Sequence, residues 1–162
     1  MSSAGILTIS DRCHRGERDD RSGPVIRSIL QTRLEGTTIL VEAVVPDDLA
    51  MIQTTLIQWA DDLGLDLIVT TGGTGFALRD VTPEATRSVL SREAPGLAEA
   101  MRAASLRVTP HAMLSRAVAG IRGRTLVINL PGSPAAVQEN LETILPALPH
   151  ALALLRGETP DG

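Results

Sequence analysis

A short strand, a glycine-rich loop and a helix start follow one another at residues 66–84, and this run constrains the fold more than any other part of the chain. Residues 67–70 are apolar or β-branched, which predicts a buried strand. The loop behind it holds three glycines in four positions, where backbone N–H groups can approach an anion because no Cβ intervenes. Thr82 is predicted to cap a helix that continues through Pro83. This order of elements predicts a site for a phosphorylated ligand.

The loop differs from two common phosphate-binding motifs. A P-loop needs a lysine after its last glycine, and all 15 basic residues of this chain are arginines. The glycine spacing also departs from the G-x-G-x-x-G of dinucleotide-binding folds. The absence of lysine excludes Schiff-base chemistry on a lysine as well.

Composition narrows the class of protein further. A chain of 162 residues predicts one domain, spanning residues 1–162, with a full core. One Phe, one Trp and no Tyr leave little for base stacking, and the net charge is -4, so no nucleic-acid partner is expected. No apolar run reaches the roughly 18 residues of a membrane span, so no membrane partner is expected. The single cysteine is typical of a reducing compartment, which predicts a cytoplasmic protein.

Hydrophobic periodicity predicts strands that alternate with helices. Strands are expected at residues 5–9, 38–45, 67–69 and 125–130, the last being the final strand. Helices are expected at residues 24–34, 48–63, 83–90 and 96–106, with a short helix or turn at 110–116 and a final helix capped by Ser133. Residues 11–22 are expected to form a charged loop. The alternation predicts an α/β fold with a mostly parallel sheet and helices on both faces.

Two carboxylates are predicted at the edge of this sheet where ligands bind, beyond the carboxyl ends of the strands. Either Asp47 or Asp48 can cap the helix that follows, which leaves the other without that role. Asp80 lies two residues before the predicted cap at Thr82, so capping does not require it. A carboxylate near a phosphate-binding loop repels the ligand unless a cation stands between them. Mg²⁺ held by one or two carboxylates and phosphate oxygens is the usual solution, so Asp80 is predicted to be functional.

Other polar residues near this edge allow two interpretations, a local structural role or contact with a ligand. They are Ser10, Asp11, Arg79, Ser115, Arg116 and Asn129. Ser10 and Asp11 form either a turn with local hydrogen bonds or a part of the site. Asn129 either belongs to a helix cap or offers a donor and an acceptor to a ligand ring. The two arginines either neutralise phosphates or remain solvated.

The motifs together resemble the MogA/MoaB molybdenum-cofactor family, which includes the G domains of gephyrin and of its plant counterpart. The resemblance is carried by residues 71–76 (TGGTGF), 79–86 (RDVTPEAT), 93–97 (EAPGL) and 126–134 (LVINLPGSP). It extends to residues 8–11 (TISD), 20–24 (DRSGP), 45–47 (VPD), 114–117 (LSRA) and 119–123 (AGIRG). The combination covers nearly the whole chain and is far more specific than any one motif.

This resemblance implies a three-layer α/β/α domain that forms homotrimers. It implies molybdopterin adenylyl transfer, in which AMP passes from Mg-ATP to the terminal phosphate of molybdopterin and pyrophosphate leaves. The two functional aspartates of the family fall on Asp47 and Asp80, as catalytic residues and ligands of Mg²⁺. The substrate site would be lined by Ser10, Asp11, Thr71, Gly72, Gly73, Thr74, Gly75, Ser115, Asn129, Pro131 and Gly132.

A binding module is the alternative function. Some relatives with this fold are scaffolds, or have lost adenylyl transfer and keep only a molybdopterin or nucleotide pocket. The presence of both Asp47 and Asp80 favours the enzyme. The sequence leaves open whether the product passes to a separate molybdenum insertase.

Overall fold

In the computed structural model, which describes residues 1–158, six strands form one sheet. The strands are β1 (Ser2–Ile9), β2 (Thr37–Val45), β3 (Leu67–Thr71), β4 (Arg92–Glu93), β5 (Ala119–Arg122) and β6 (Thr125–Leu130). Their order across the sheet is β2-β1-β3-β6-β5-β4. The first four strands in this order are parallel, and the last two are antiparallel to their neighbours. The expected mostly parallel sheet is confirmed.

Helices cover both faces of the sheet. They are α1 (Asp11–His14), α2 (Ser22–Arg33), α3 (Leu49–Ile57), α4 (Thr82–Val89), α5 (Pro95–Leu106), α6 (Pro134–Ile144) and α7 (Leu148–Arg156). A π-helical turn at Gln58–Asp62 continues α3, and 3-10 turns lie at Pro110–Leu114 and Leu145–Ala147. Among residues 1–158, no helix combines the length and the apolar character that crossing a membrane requires.

Two apolar clusters, one on each face of the sheet, make the three layers of the domain. One cluster joins the sheet to α2, α5, α6 and α7, through residues such as Ile26, Met101 and Leu141. The other joins it to α3 and α4, through residues such as Ile52 and Ala85. The apolar C-terminal run contributes Leu145, Leu148 and Leu152 to the first cluster, so it serves the core.

The antiparallel edge of the sheet is absent from the sequence-based prediction, which ends the sheet at four strands. β4 has two residues and β5 has four, so neither is long enough to show a period of two. β5 also contains Gly120, which is depleted in strands. Here the glycine has a packing reason, because a Cβ would lie 2.6 Å from the carbonyl oxygen of Arg92.

Helix starts are predicted well with one exception. Of the two candidate caps of α3, Asp47 and Asp48, the structure shows Asp48 in that role, and it confirms Ser133 as the cap of α6. Each side chain accepts a hydrogen bond from the backbone N–H three residues further on. The prediction that Thr82 caps α4 is wrong. Thr82 is the first residue of α4, and its hydroxyl donates to the carbonyl oxygen of Gly72 at 2.9 Å. The charged loop begins as the short helix α1, capped by Ser10.

Candidate active site

The carboxyl ends of the four parallel strands meet at one edge of the sheet, and two cavities open there. They measure about 390 Å³ and about 400 Å³. Ser133, the cap of α6, borders both cavities. The glycine-rich loop after β3 divides them, because Gly72 and Gly73 line the first cavity and Gly75 lines the second.

The predicted site residues separate into three groups. The first cavity is lined by Ser10, Asp47, Thr71, Gly72, Gly73, Asp80 and Gly132. The second is lined by Thr74, Gly75, Ser115 and Pro131. Asp11 and Asn129 line neither cavity. Both predicted carboxylates, from the segments that follow β2 and β3, therefore line the same cavity.

The glycine-rich loop has a backbone that only glycine adopts readily. Gly72 has a φ of 98° and Gly73 a φ of 69°, in the left-handed region. A Cβ on Gly72 would collide with the carbonyl oxygen of Ile9, and one on Gly73 with the hydroxyl of Thr82. No hydrogen bond within residues 1–158 uses the N–H groups of Gly73, Thr74 or Gly75. These donors are therefore available to an anion.

Asp47 carries an unusual carboxylate at the edge of the first cavity. Its Oδ2 accepts a hydrogen bond from the backbone N–H of Asp11 at 3.0 Å. Its Oδ1 is buried and has no hydrogen-bond partner among the described residues. Burial raises the pKa of Asp47, and the charges of Asp11 and Asp80 add to the rise. A buried carboxylate oxygen without a partner, close to a second carboxylate, fits the ligand set of a divalent cation.

Asp80 supplies that second carboxylate. Its Oδ2 accepts a hydrogen bond from the backbone N–H of Ala77 at 2.9 Å, which fixes the side chain within its own turn. In the part of the chain that the structure describes, no group of three or more His, Cys, Asp or Glu side chains could hold a metal. A cation here would need oxygens of the ligand beside Asp47 and Asp80, as Mg²⁺ sites on phosphates do.

Asp11 lies behind Asp47 rather than in the cavity. Its carboxylate accepts two hydrogen bonds from Arg79, at 2.9 and 2.8 Å, and one from the backbone N–H of Asp47 at 3.0 Å. The Arg79 guanidinium is the main reason that the pKa of Asp11 is lowered to about 2. The Asp11 side chain therefore holds Asp47 in place, and the prediction of a cavity-lining Asp11 is not supported by this geometry.

Asn129 is a correction to the sequence-based prediction. Its side chain is fully buried, and its amide donates to the hydroxyls of Thr70 and Thr86, both at 3.0 Å. Its carbonyl oxygen accepts from the backbone N–H of Val118 at 3.2 Å. The amide is therefore used within the core, where it joins β3, α4 and the start of β5. It has no donor or acceptor turned to a ligand ring.

The structure also identifies cationic residues that sequence reasoning missed. Arg79 is paired with Asp11, and Arg116 is paired with Glu84, so neither lies free beside the cavity. Arg18 and Arg21 line the first cavity instead, together with Asp20. The sequence signal was the alternation of arginine and aspartate between residues 11 and 22. That pattern is equally typical of a solvated loop, so it could not single out the two arginines.

Comparison with known proteins places this architecture in a family. The family described as "Probable molybdopterin binding domain" matches residues 5–150. The chain therefore belongs to the molybdopterin-binding domain family, and the expected resemblance is confirmed.

Individual relatives agree with that assignment. A molybdopterin adenylyltransferase of Helicobacter pylori (strain J99) is 44% identical over 153 residues, which cover 94% of this chain and 87% of that protein. Gephyrin of Dictyostelium discoideum is 48% identical over 162 residues, and the match covers 95% of this chain but only 22% of gephyrin. The crystal structure of the molybdopterin biosynthesis enzyme MoaB of Thermus thermophilus superposes with a TM-score of 0.91 at 55% identity, over 97% of this chain and 98% of that one.

Proposed function

We propose that this chain is a molybdopterin adenylyltransferase of molybdenum-cofactor biosynthesis, which transfers AMP from Mg-ATP to the terminal phosphate of molybdopterin. One observation carries the proposal. Asp47 and Asp80, from the segments that follow β2 and β3, line one cavity beside a glycine loop whose N–H donors are unused within residues 1–158. The same chain is similar over 94% of its length to a curated molybdopterin adenylyltransferase.

The reaction asks for positioning more than for acid–base catalysis. A terminal phosphate oxygen of molybdopterin attacks the α-phosphorus of ATP, the new P–O bond forms, and the bond to the bridging oxygen breaks to release pyrophosphate. The attacking oxygen is already anionic, so no strong general base is needed. The difficulty is to bring two polyanions together in line, which positioning and charge neutralisation overcome.

The residues at the sheet edge match these needs. Asp47 and Asp80 would hold Mg²⁺, which supplies positive charge between the carboxylates and the phosphates. The N–H groups of the glycine loop would bind a phosphate oxygen directly. Arg18 and Arg21 line the first cavity, but so do Asp19, Asp20, Asp47 and Asp80. The two arginines would therefore bind phosphate together with the Mg²⁺, whose charge offsets the carboxylates.

The proposal includes the cellular location, the oligomeric state and a partner of the enzyme. We expect a cytoplasmic homotrimer, supported by the family resemblance and by the single cysteine. A separate molybdenum insertase would receive the product, because adenylyl-molybdopterin is an activated intermediate that a further step must consume.

A direct assay tests the proposed activity. The purified chain is mixed with molybdopterin and Mg-ATP, and adenylyl-molybdopterin and pyrophosphate are measured. We expect both products in equal amounts and none when molybdopterin is omitted. Binding of molybdopterin without any pyrophosphate would instead establish the inactive binding module and overturn the enzyme.

A further inference from the structure

Arg116 donates four hydrogen bonds around the glycine loop, three from its side chain and one from its backbone. Its Nε donates to the carbonyl oxygen of Gly75 at 2.8 Å, and its Nη2 to the carbonyl oxygen of Asp80 at 2.7 Å. Its Nη1 donates to Glu84 at 2.6 Å, in the first turn of α4. Its own backbone N–H donates to the carbonyl oxygen of Thr74 at 2.8 Å. One residue therefore binds the loop, the backbone of a predicted catalytic aspartate and the helix behind it.

The two guanidinium bonds to carbonyl oxygens span the turn between the loop and Asp80. Gly75 lines the second cavity and Asp80 lines the first, so Arg116 connects the walls of both. A guanidinium is planar and presents its donors in a fixed fork, whereas a lysine ammonium is a single point on a flexible stem. Only an arginine can satisfy these acceptors in one rigid arrangement.

The charge of Arg116 is matched by Glu84 rather than by a ligand. The Arg116 guanidinium lowers the pKa of Glu84, so the pair stays ionised at neutral pH. The Arg116 side chain is partly exposed and lines neither cavity. Three of its five N–H donors bind the loop, the Asp80 backbone and Glu84. Arg116 is therefore placed to shape the site rather than to bind phosphate.

We infer that Arg116 is a positioning residue for the proposed adenylyl transfer, which holds the glycine loop and Asp80 in the arrangement that accepts the anionic substrates. The inference rests on the proposed function. Arg116 turns the carbonyl oxygens of Thr74 and Gly75 toward itself, and the N–H groups of the loop stay free for the ligand.

The test compares Arg116→Ala, Arg116→Lys and the control Arg122→Ala. Arg122 is a matched control because it also pairs with a carboxylate, that of Asp61, and donates to a carbonyl oxygen, that of Val89, away from both cavities. We expect kcat to fall at least about tenfold in both Arg116 variants and to stay unchanged in Arg122→Ala. Added methylguanidinium should restore activity to Arg116→Ala, because it supplies the missing fork, and should not affect Arg116→Lys.

Two results would overturn the inference: normal kcat in Arg116→Ala, or full activity in Arg116→Lys. If Arg116→Ala does not fold, Arg116→Lys alone decides, since it keeps the charge and loses only the fork. Molybdopterin titration separates this inference from the proposed function. If the wild-type chain binds molybdopterin without adenylyl transfer, the proposed function is wrong. The inference about Arg116 is then tested by binding alone: it holds if Arg116→Lys weakens molybdopterin binding at least about tenfold, and it is overturned if binding is unchanged.

Discussion

At the scale of single residues, burial decides the role of the polar side chains more than residue type does. Asp47 and Asn129 both lie at the carboxyl ends of parallel strands, at the same sheet edge. The Asp47 carboxylate keeps a buried oxygen without a partner beside the cavity, whereas the Asn129 amide is used fully within the core. A buried oxygen without a hydrogen-bond partner destabilises the fold unless a ligand binds to it, so Asp47 is the one of the two that is expected to contact a ligand or metal.

Asp80→Asn tests whether this residue is catalytic. The amide oxygen of asparagine can still accept the hydrogen bond from the backbone of Ala77, so the turn should persist. We expect adenylyl transfer to fall by at least about tenfold, ~1.4 kcal/mol in barrier height, with little change in melting temperature. A variant with normal turnover would remove Asp80 from the catalytic set.

Asp47→Asn should separate activity from stability. Burial raises the pKa of Asp47, so the folded state disfavours its charged form. The free energy of unfolding therefore decreases as the pH rises from 3.8, the ordinary pKa of an aspartate, through the higher pKa of Asp47 in the folded chain. We therefore expect the variant to melt at a higher temperature than the wild type at pH 7, with transfer at least about tenfold slower.

The neighbouring exposed carboxylate provides the control. Asp48→Asn keeps a good helix cap and touches neither cavity, so activity and melting temperature should match the wild type. An Asp47→Asn variant that melts at a lower temperature than the wild type would contradict the prediction.

At the scale of elements, the loop after β3 requires glycine at two positions for two different reasons. At Gly73 the backbone itself requires glycine, because its φ is 69° and a Cβ would collide with Thr82. At Gly75 the φ is not in the left-handed region, but a Cβ would lie 2.9 Å from Oδ2 of Asp80. The loop therefore couples its own shape to the position of a predicted catalytic carboxylate.

Alanine substitutions should separate these two requirements. Gly73→Ala should lower the melting temperature, since its backbone is strained with any side chain. Gly75→Ala should keep the fold and lose affinity for molybdopterin, because the new methyl displaces Asp80. Gly96→Ala, in α5, is the control, since a Cβ there meets nothing within 4 Å. It should bind molybdopterin like the wild type and should not lower the melting temperature. Unchanged affinity in Gly75→Ala would mean that the contact between Gly75 and Asp80 does not govern the affinity for molybdopterin.

At the scale of the whole molecule, several large apolar side chains near the site remain exposed in the single chain. Phe76 is 69% exposed, Leu78 100% and Met113 67%. They belong to two segments that the hydrogen bonds of Arg116 bring together. Exposed apolar side chains in neighbouring segments are typical of a surface that another protein surface covers.

The proposed homotrimer gives that surface a use. We expect light scattering to report three times the 17.1 kDa mass of the chain at micromolar concentration. Leu78→Glu should shift the protein toward smaller species if this surface is the interface, whereas Leu40→Glu, at an exposed strand position, should not. A stable wild-type monomer would refute the trimer.

The sequence by itself determined the four parallel strands, most of the helices and the sheet edge that carries the candidate site, because hydrophobic period and capping residues are local properties. It also marked Asp47 and Asp80 through their motifs. Only the tertiary structure decided the antiparallel edge, since β4 and β5 are too short to show a pattern. Only it placed Asn129 inside the core and Arg116 across the glycine loop, because both roles depend on partners far away in the chain. The residue type limits which groups a side chain can hydrogen-bond to, and the packing of distant segments decides which of those groups lies within reach.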